Sequence, residues 1–305
     1  MVDLIVIGSV AFDDVKTPFG SLKNALGGSA VYASYAASFF SKAGIVAIAG
    51  KDFEESVDFL KRRGISTEGI EISETESTFH WAGFYEYDMN DAKTLKTELN
   101  AFGAFQPKLP EEYKKAKYVF LGNIGPELQM DVLKQVDAPE FVIVDTMNYW
   151  IERSKESVIN AIKKSNCALM NDAEARQLFN MSNLVCIGKK ILELGPTYAV
   201  IKKGEHGALL FSKDENRNMK YFNAPGFPLE TVIDPTGAGD SFAGAMLGYI
   251  AKTKDTSEAN IRKAVIYGSV IASFNAEGFS LDKLKTISEE DIEKRFKQFK
   301  EIRNF

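Results

Sequence analysis

The amino-acid sequence predicts an α/β fold, a doubly wound and largely parallel sheet flanked by helices, with a small β excursion beside it. The first observation is a series of short apolar runs rich in β-branched residues, at 3–8, 45–49, 118–121, 141–145, 168–170, 198–202 and 208–211. Near-continuous apolarity is the pattern of strands buried on both faces. The second is that segments of helical period fill many of the intervals, at 30–40, 57–63, 126–136 and 156–164. Strand-helix alternation builds a parallel sheet covered on both sides. The third is a stretch from Ser77 to Glu98 that alternates instead, with Phe79, Trp81, Gly83 and Tyr85 on one face and a turn at 88–91. That predicts two antiparallel strands, either an edge hairpin of the main sheet or a lid over a site. The last third turns helical, at 241–251, 257–276 and 289–302, with Ser288 ahead of three acids as an N-cap.

Composition narrows the chemistry. The formal net charge is −5, with acids and bases mixed, which is not the basic face a nucleic acid requires. Cys167 and Cys186 alone build no disulfide framework, so a cytoplasmic protein is expected. The start reads as a first strand, and no apolar stretch approaches the roughly 18 residues of a membrane span. His80 and His206 have no motif around them, so Ser-His-Asp hydrolysis and zinc chemistry are disfavoured. Catalysis, if present, must rest on carboxylates, lysines and backbone dipoles.

The run Asp234-Pro235-Thr236-Gly237-Ala238-Gly239-Asp240-Ser241-Phe242 opens directly onto a helix. Its glycines allow backbone angles and close approaches that side chains forbid, and the first N–H groups of a helix are unpaired. Together they make a cup for an anion, with Asp240 at its rim. A carboxylate there repels the anion, but it suits a base that deprotonates a hydroxyl attacking a phosphoryl group. The plainer reading is a glycine-rich turn with an acidic helix start. Asn171 and Glu174 follow a strand and open a helix, as an N-cap or as a polar pair at the ligand-binding end of a sheet. Lys202, Gly204 and Gly207 form a turn after another strand, Gly27 and Gly28 precede the first long helix, and Asp13 with Asp14 follows the first strand.

In that order, Gly8-Ser9-Val10-Ala11-Phe12-Asp13, Gly27-Gly28, Asn171-x-x-Glu174 and 234–242, the chain resembles the ribokinase or PfkB family of sugar and nucleoside kinases over essentially its whole length. The resemblance implies a single ribokinase-like domain over 1–305, with a small β lid formed by about 9–20 and 75–104. It implies transfer of the γ-phosphate of ATP, with Mg2+, to a hydroxyl of a small sugar or sugar-like substrate. A nucleoside acceptor and a non-catalytic nucleotide or sugar sensor are the alternatives. Asp240 matches the catalytic base, and Gly237, Ala238 and Gly239 the anion hole. Asp13, Gly27, Gly28 and Asn123 fall on the substrate side. Asn171, Glu174, Lys202, Gly204 and Gly207 fall on the nucleotide side, with Glu174 reaching Mg2+ through water. Asp234 and Thr236 sit where cation-activated members place ligands for K+, whose later part should lie near 275–281. Many members have Thr where Lys202 stands, and sugar-specific members often carry an Arg that the segment 145–150 lacks. The aromatic residues Phe12, Phe79, Trp81 and Phe102 would suit stacking on a base or sugar, or plain packing. Family lids often pair edge to edge, so a homodimer through the lid is an expectation. A dinucleotide-dependent oxidoreductase is disfavoured, because 8–11 lacks the required glycines.

Overall fold

In the chain's structure, a computed structural model that describes residues 2–304, nine strands form the main sheet. The first is β1 (Leu4–Ile7), which leads into β2 (Ala11–Thr17) and β3 (Gly20–Gly27) of a second sheet. The chain returns through α1 (Ser29–Ala37) to β4 (Ala43–Gly50), then α2 (Glu54–Arg62) and β5 (Ser66–Ser73). It leaves again for β6 (Phe79–Phe84) and β7 (Lys93–Glu98). From β8 (Tyr118–Leu121) it runs through α3 (Pro126–Leu133), β9 (Phe141–Val144), α4 (Asn148–Arg153) and α5 (Lys155–Lys163) to β10 (Cys167–Asn171). Then follow α6 (Asp172–Phe179), α7 (Leu184–Leu194), β11 (Tyr198–Lys202), β12 (Ala208–Lys213) and β13 (Met219–Ala224). Three helices close the chain: α8 (Ala238–Thr253), α9 (Glu258–Asn275) and α10 (Glu289–Ile302).

The main sheet runs β13-β12-β11-β10-β9-β8-β1-β4-β5, parallel from β11 to β5 and antiparallel at the β12 and β13 edge. Alternate residues of each strand enter opposite cores, as the two-residue period requires. Leu4 and Val6 join one core with α1, α8 and α9, whereas Ile5 and Ile7 join the other with α5 and α7. Helices α1 and α8 pack closely because Gly244 faces the Ala33 carbonyl, where a Cβ would fall 1.9 Å from the oxygen. The strand order reverses between β1 and β8, and α/β sheets bind ligands outside the carboxyl ends of strands at such a reversal.

The alternating stretch near 77–98 belongs to a separate four-stranded sheet, β3-β2-β6-β7, and not to an edge of the main one. Strand β2 runs parallel to β6, and the other pairs are antiparallel. The expected boundary of 9–20 falls short, since β3 continues to Gly27. Its residues are largely exposed and polar, so no apolar run announces it. Asp13 and Asp14, read as following the first strand, are themselves strand residues of β2, and Gly27 ends β3. The aromatic rings are partly spent on one another: Phe12 lies 5.6 Å from Phe53, and Phe79 lies 5.4 Å from Phe102. Among the described residues no helix is long and apolar enough to cross a membrane.

Candidate active site

Four polar side chains emerge in a row where parallel strands end. Asn123 stands beyond β8, Asp145 directly after β9, Asn171 at the last position of β10 and Lys202 at the last position of β11. Facing them is the start of α8. Gly237 caps that helix in the left-handed region, φ 74°, and a Cβ there would fall 2.3 Å from the Tyr32 ring. Ala238 N–H is turned back to the Pro235 carbonyl at 3.0 Å, so it is not free for a ligand. The next two donors, Gly239 and Asp240 N–H, have no backbone carbonyl partner among the described residues. Asp240 lies on this first turn, partly exposed.

Asp145 appears in the sequence only as the end of the apolar run 141–145, with no role attached, yet it is central here. Its Oδ2 accepts from Lys202 Nζ at 2.9 Å; the Asp145 side chain is buried, 8% exposed, and that of Lys202 is half-buried, 16% exposed. A carboxylate directly after a fully apolar strand is the signal that could have singled it out. Lys202 in turn lies against the helix start, since a Cβ on Gly239 would be 3.1 Å from Nζ. Asn171 and Glu174 form a capping box: Glu174 N–H donates to Asn171 Oδ1 at 2.7 Å and Asn171 N–H to Glu174 Oε2 at 2.8 Å. The N-cap reading of this pair is therefore correct as structure. The box also leaves the Glu174 carboxylate fixed at the strand ends.

On the other side stands Asp13 of β2. Any side chain at Gly27 would displace it, because a Cβ there would lie 1.9 Å from Asp13 Oδ2. Gly28 has φ 92° and lies so close to the Ser9 carbonyl that a Cβ would be 2.5 Å from its oxygen. Its backbone N–H works against burial on the Asp13 carboxyl, lowering its pKa. Asn123 Oδ1 accepts from Trp150 Nε1 at 2.9 Å, which leaves the amide donors of Asn123 for another partner. The turn at Gly204 and Gly207, φ 54° and 79°, is closed by Lys203 N–H on the Gly207 carbonyl at 2.7 Å. Asn90, from the loop between β6 and β7, reaches over to Gly204.

Asp234 Oδ1 accepts from Thr236 N–H at 2.9 Å, and Asn275 Nδ2 donates to the Thr236 carbonyl at 2.8 Å. Ser280 N–H approaches Asp234 Oδ2 at 3.5 Å, so the 275–281 segment does come to this turn. Thr236 Oγ1 also meets the Tyr85 hydroxyl at 3.2 Å, joining the second sheet to the motif. A cleft of about 810 Å³ lined by Lys16, Thr17, Phe84, Tyr85 and Leu95 opens on that sheet. The acidic cluster is not among its walls.

Crowding of acids sets the electrostatics, with Asp13, Asp145 and Asp234 buried and Asp240 and Glu174 half-buried. Burial, then the charge of Asp145, pushes Asp240 up to about 7, against the pull of Lys202. Burial, then Asp234, Asp240 and Asp14, pushes Asp13 up to about 8. Glu174 is raised by burial and Asp145. Burial disfavours the Lys202 charge, but Asp145, Glu174 and Asp240 outweigh it and its pKa is raised. A carboxyl with a folded pKa above its ordinary value holds its proton longer in the fold than in the unfolded chain. Stability contributed this way falls as pH rises between the two values. For Asp13 the window runs from 3.8 to about 8. The ligand-free protein should therefore show a falling thermal midpoint between about pH 5 and pH 8, a trend that Asp13→Asn should weaken.

Comparisons with known proteins bear on the family and the fold. The pfkB family carbohydrate kinase model matches residues 1–284. A cytidine kinase of Thermococcus kodakarensis is 26% identical over 262 residues, covering 85% of this chain and 92% of that protein. The solved nucleoside kinase of Burkholderia thailandensis in complex with ADP-inosine superposes with a TM-score of 0.80 at 18% identity, covering 97% and 95% of the two chains. A ribokinase structure from Giardia lamblia gives 0.81 at 17% identity, covering 98% and 99%. The fold is ribokinase-like, and its chemistry is that of an ATP-dependent phosphotransferase with an alcohol acceptor. The chain belongs to the PfkB family of carbohydrate kinases.

Proposed function

We propose that this kinase phosphorylates a ribose hydroxyl of a nucleoside, with Asp240 as the base. The observation that carries the mechanism is the placement of Asp240 on the first turn of α8, beside N–H donors that have no backbone carbonyl partner among the described residues and within the field of Asp13. Asp13 grips the acceptor hydroxyls, and Asp240 takes the proton as the oxygen attacks the γ-phosphorus in line. The Gly239 and Asp240 N–H groups receive charge on the phosphoryl oxygens. Gly204 and Gly207 shape the turn along the nucleotide, and Asn123 binds on the acceptor side. The second sheet acts as a lid, with Tyr85 and Asn90 meeting the motif turn and the nucleotide turn.

Mg2+ suits the donor set. Glu174 and Asp145 are carboxylates that repel each other at the phosphate side, and a hydrated dication relieves both. On this reading the ion is held by Glu174 through water. When bound, it would supply charge neutralisation at the phosphates. A monovalent cation at Asp234 and Thr236, such as K+, belongs to the same reading.

The sequence put a free sugar first and a nucleoside second. The cytidine kinase and nucleoside kinase relatives support putting the nucleoside first. The test incubates the protein with ATP, Mg2+ and separate cytidine, uridine, adenosine, inosine, ribose and fructose, and measures ADP. Nucleosides should be turned over with higher kcat/KM than either sugar. Turnover of the sugars alone would return the acceptor to a free carbohydrate, and no ADP with any of them would favour a sensor.

A further inference from the structure

Beyond the base and the helix start, we propose that Lys202 is a catalytic residue whose ammonium contacts the phosphoryl group during transfer, with Asp145 as the residue that positions it. The proposal rests on the kinase reading above. An ammonium carries three donors. Asp145 takes one at 2.9 Å, and the other two have no protein partner among the described residues. The group lies against Gly239, where a Cβ would come within 3.1 Å, so the ammonium stands at the helix start where the proposed reading puts the phosphate.

Charge balance gives the same answer. Asp145, Glu174 and Asp240 all feel one another, and the opposing cation acting on both Glu174 and Asp240 is Lys202. An incoming γ-phosphate would meet a net negative wall without it. Stability does not explain the pair, because a buried Lys-Asp bridge is often no better than apolar packing.

In the step itself the acceptor hydroxyl gives its proton to Asp240 as its oxygen bonds to phosphorus. The bond from the γ-phosphorus to the bridging oxygen breaks, and that electron pair leaves on ADP. Lys202 donates hydrogen bonds to the non-bridging oxygens throughout and keeps its own proton. Its fixed place on Asp145 means little reorganisation is needed at the moment of transfer.

The test compares Lys202→Met, Lys202→Arg and the double variant Lys202→Met with Asp145→Asn. Lys202→Met should lose about 100- to 1000-fold in kcat. Calorimetry should show the ADP affinity of that variant within about threefold of wild type, while the extra affinity for ATP is lost. Lys202→Arg should recover part of the rate. The double variant removes the stranded buried carboxylate, so it should regain the wild-type thermal midpoint without regaining kcat. A folded Lys202→Met or double variant with kcat within about threefold of wild type would overturn the proposal while the kinase reading stands. A wild-type protein that releases no ADP with any acceptor would overturn both.

Discussion

Asp240→Asn should lower kcat by about 10²- to 10⁴-fold while leaving ATP binding intact. Asparagine has nearly the same shape, so the first turn of α8 and its N–H groups remain. What disappears is the ability to accept a proton from the acceptor hydroxyl. The wild-type pH profile carries an independent sign of the same group. Asp240 acts as a base only when ionised, and burial with Asp145 pushes it up to about 7. Turnover should therefore rise with pH through about 7, not near the usual 4 of a carboxylate. Burial and Asp145 hold this value up and Lys202 holds it down, so the limb reports the balance between that acid and that cation. ADP release measured from pH 5.5 to 9, with calorimetry of ATP binding, checks both points. Normal turnover in the variant would remove Asp240 from the mechanism.

Replacing Gly237 with alanine should be nearly as damaging, by a different route. The residue sits at φ 74°, and a left-handed conformation costs a substituted residue roughly 1–2 kcal/mol. The added methyl would also fall 2.3 Å from the Tyr32 ring, which is almost wholly buried and has no room to retreat. Either the ring or the helix start must move, and the phosphate donors move with it. A loss of about 100- to 1000-fold in kcat is expected, the scale of removing one such donor, together with a lower thermal midpoint. Gly64→Ala is the control. It has φ 86° but nothing within 4 Å of its Cβ position, so it isolates the backbone cost from the collision. If Gly237→Ala resembles Gly64→Ala in rate and stability, the tight packing of Tyr32 under the turn has no consequence.

The parallel core was legible because strands buried on both faces leave uninterrupted apolar runs such as Phe141–Val144. Strand β3 was not, since Ser21, Lys23 and Asn24 give no alternation to follow. The glycine-bracketed motif could be read locally because turn, helix start and carboxylate are neighbours in sequence. Asp145 and Lys202 could not be paired that way: they stand 57 positions apart and meet only because β9, β10 and β11 lie side by side. The Tyr85 contact with Thr236, spanning 151 positions, is beyond any local pattern. Asn171 and Glu174 mark another limit, because one hydrogen-bonding box serves helix capping and site geometry alike.

Asp13 is a residue of β2, and so it belongs to the same sheet as Tyr85 and the Asn90 loop. On the proposed reading, the group that recognises the acceptor is mounted on the gate itself. Affinity for the acceptor and access to the site then become one variable. A raised gate has no assembled receptor, and a lowered one cannot admit a new molecule. Substitutions in the remote strand β7 that tilt this sheet would alter the acceptor KM without any contact with the acceptor.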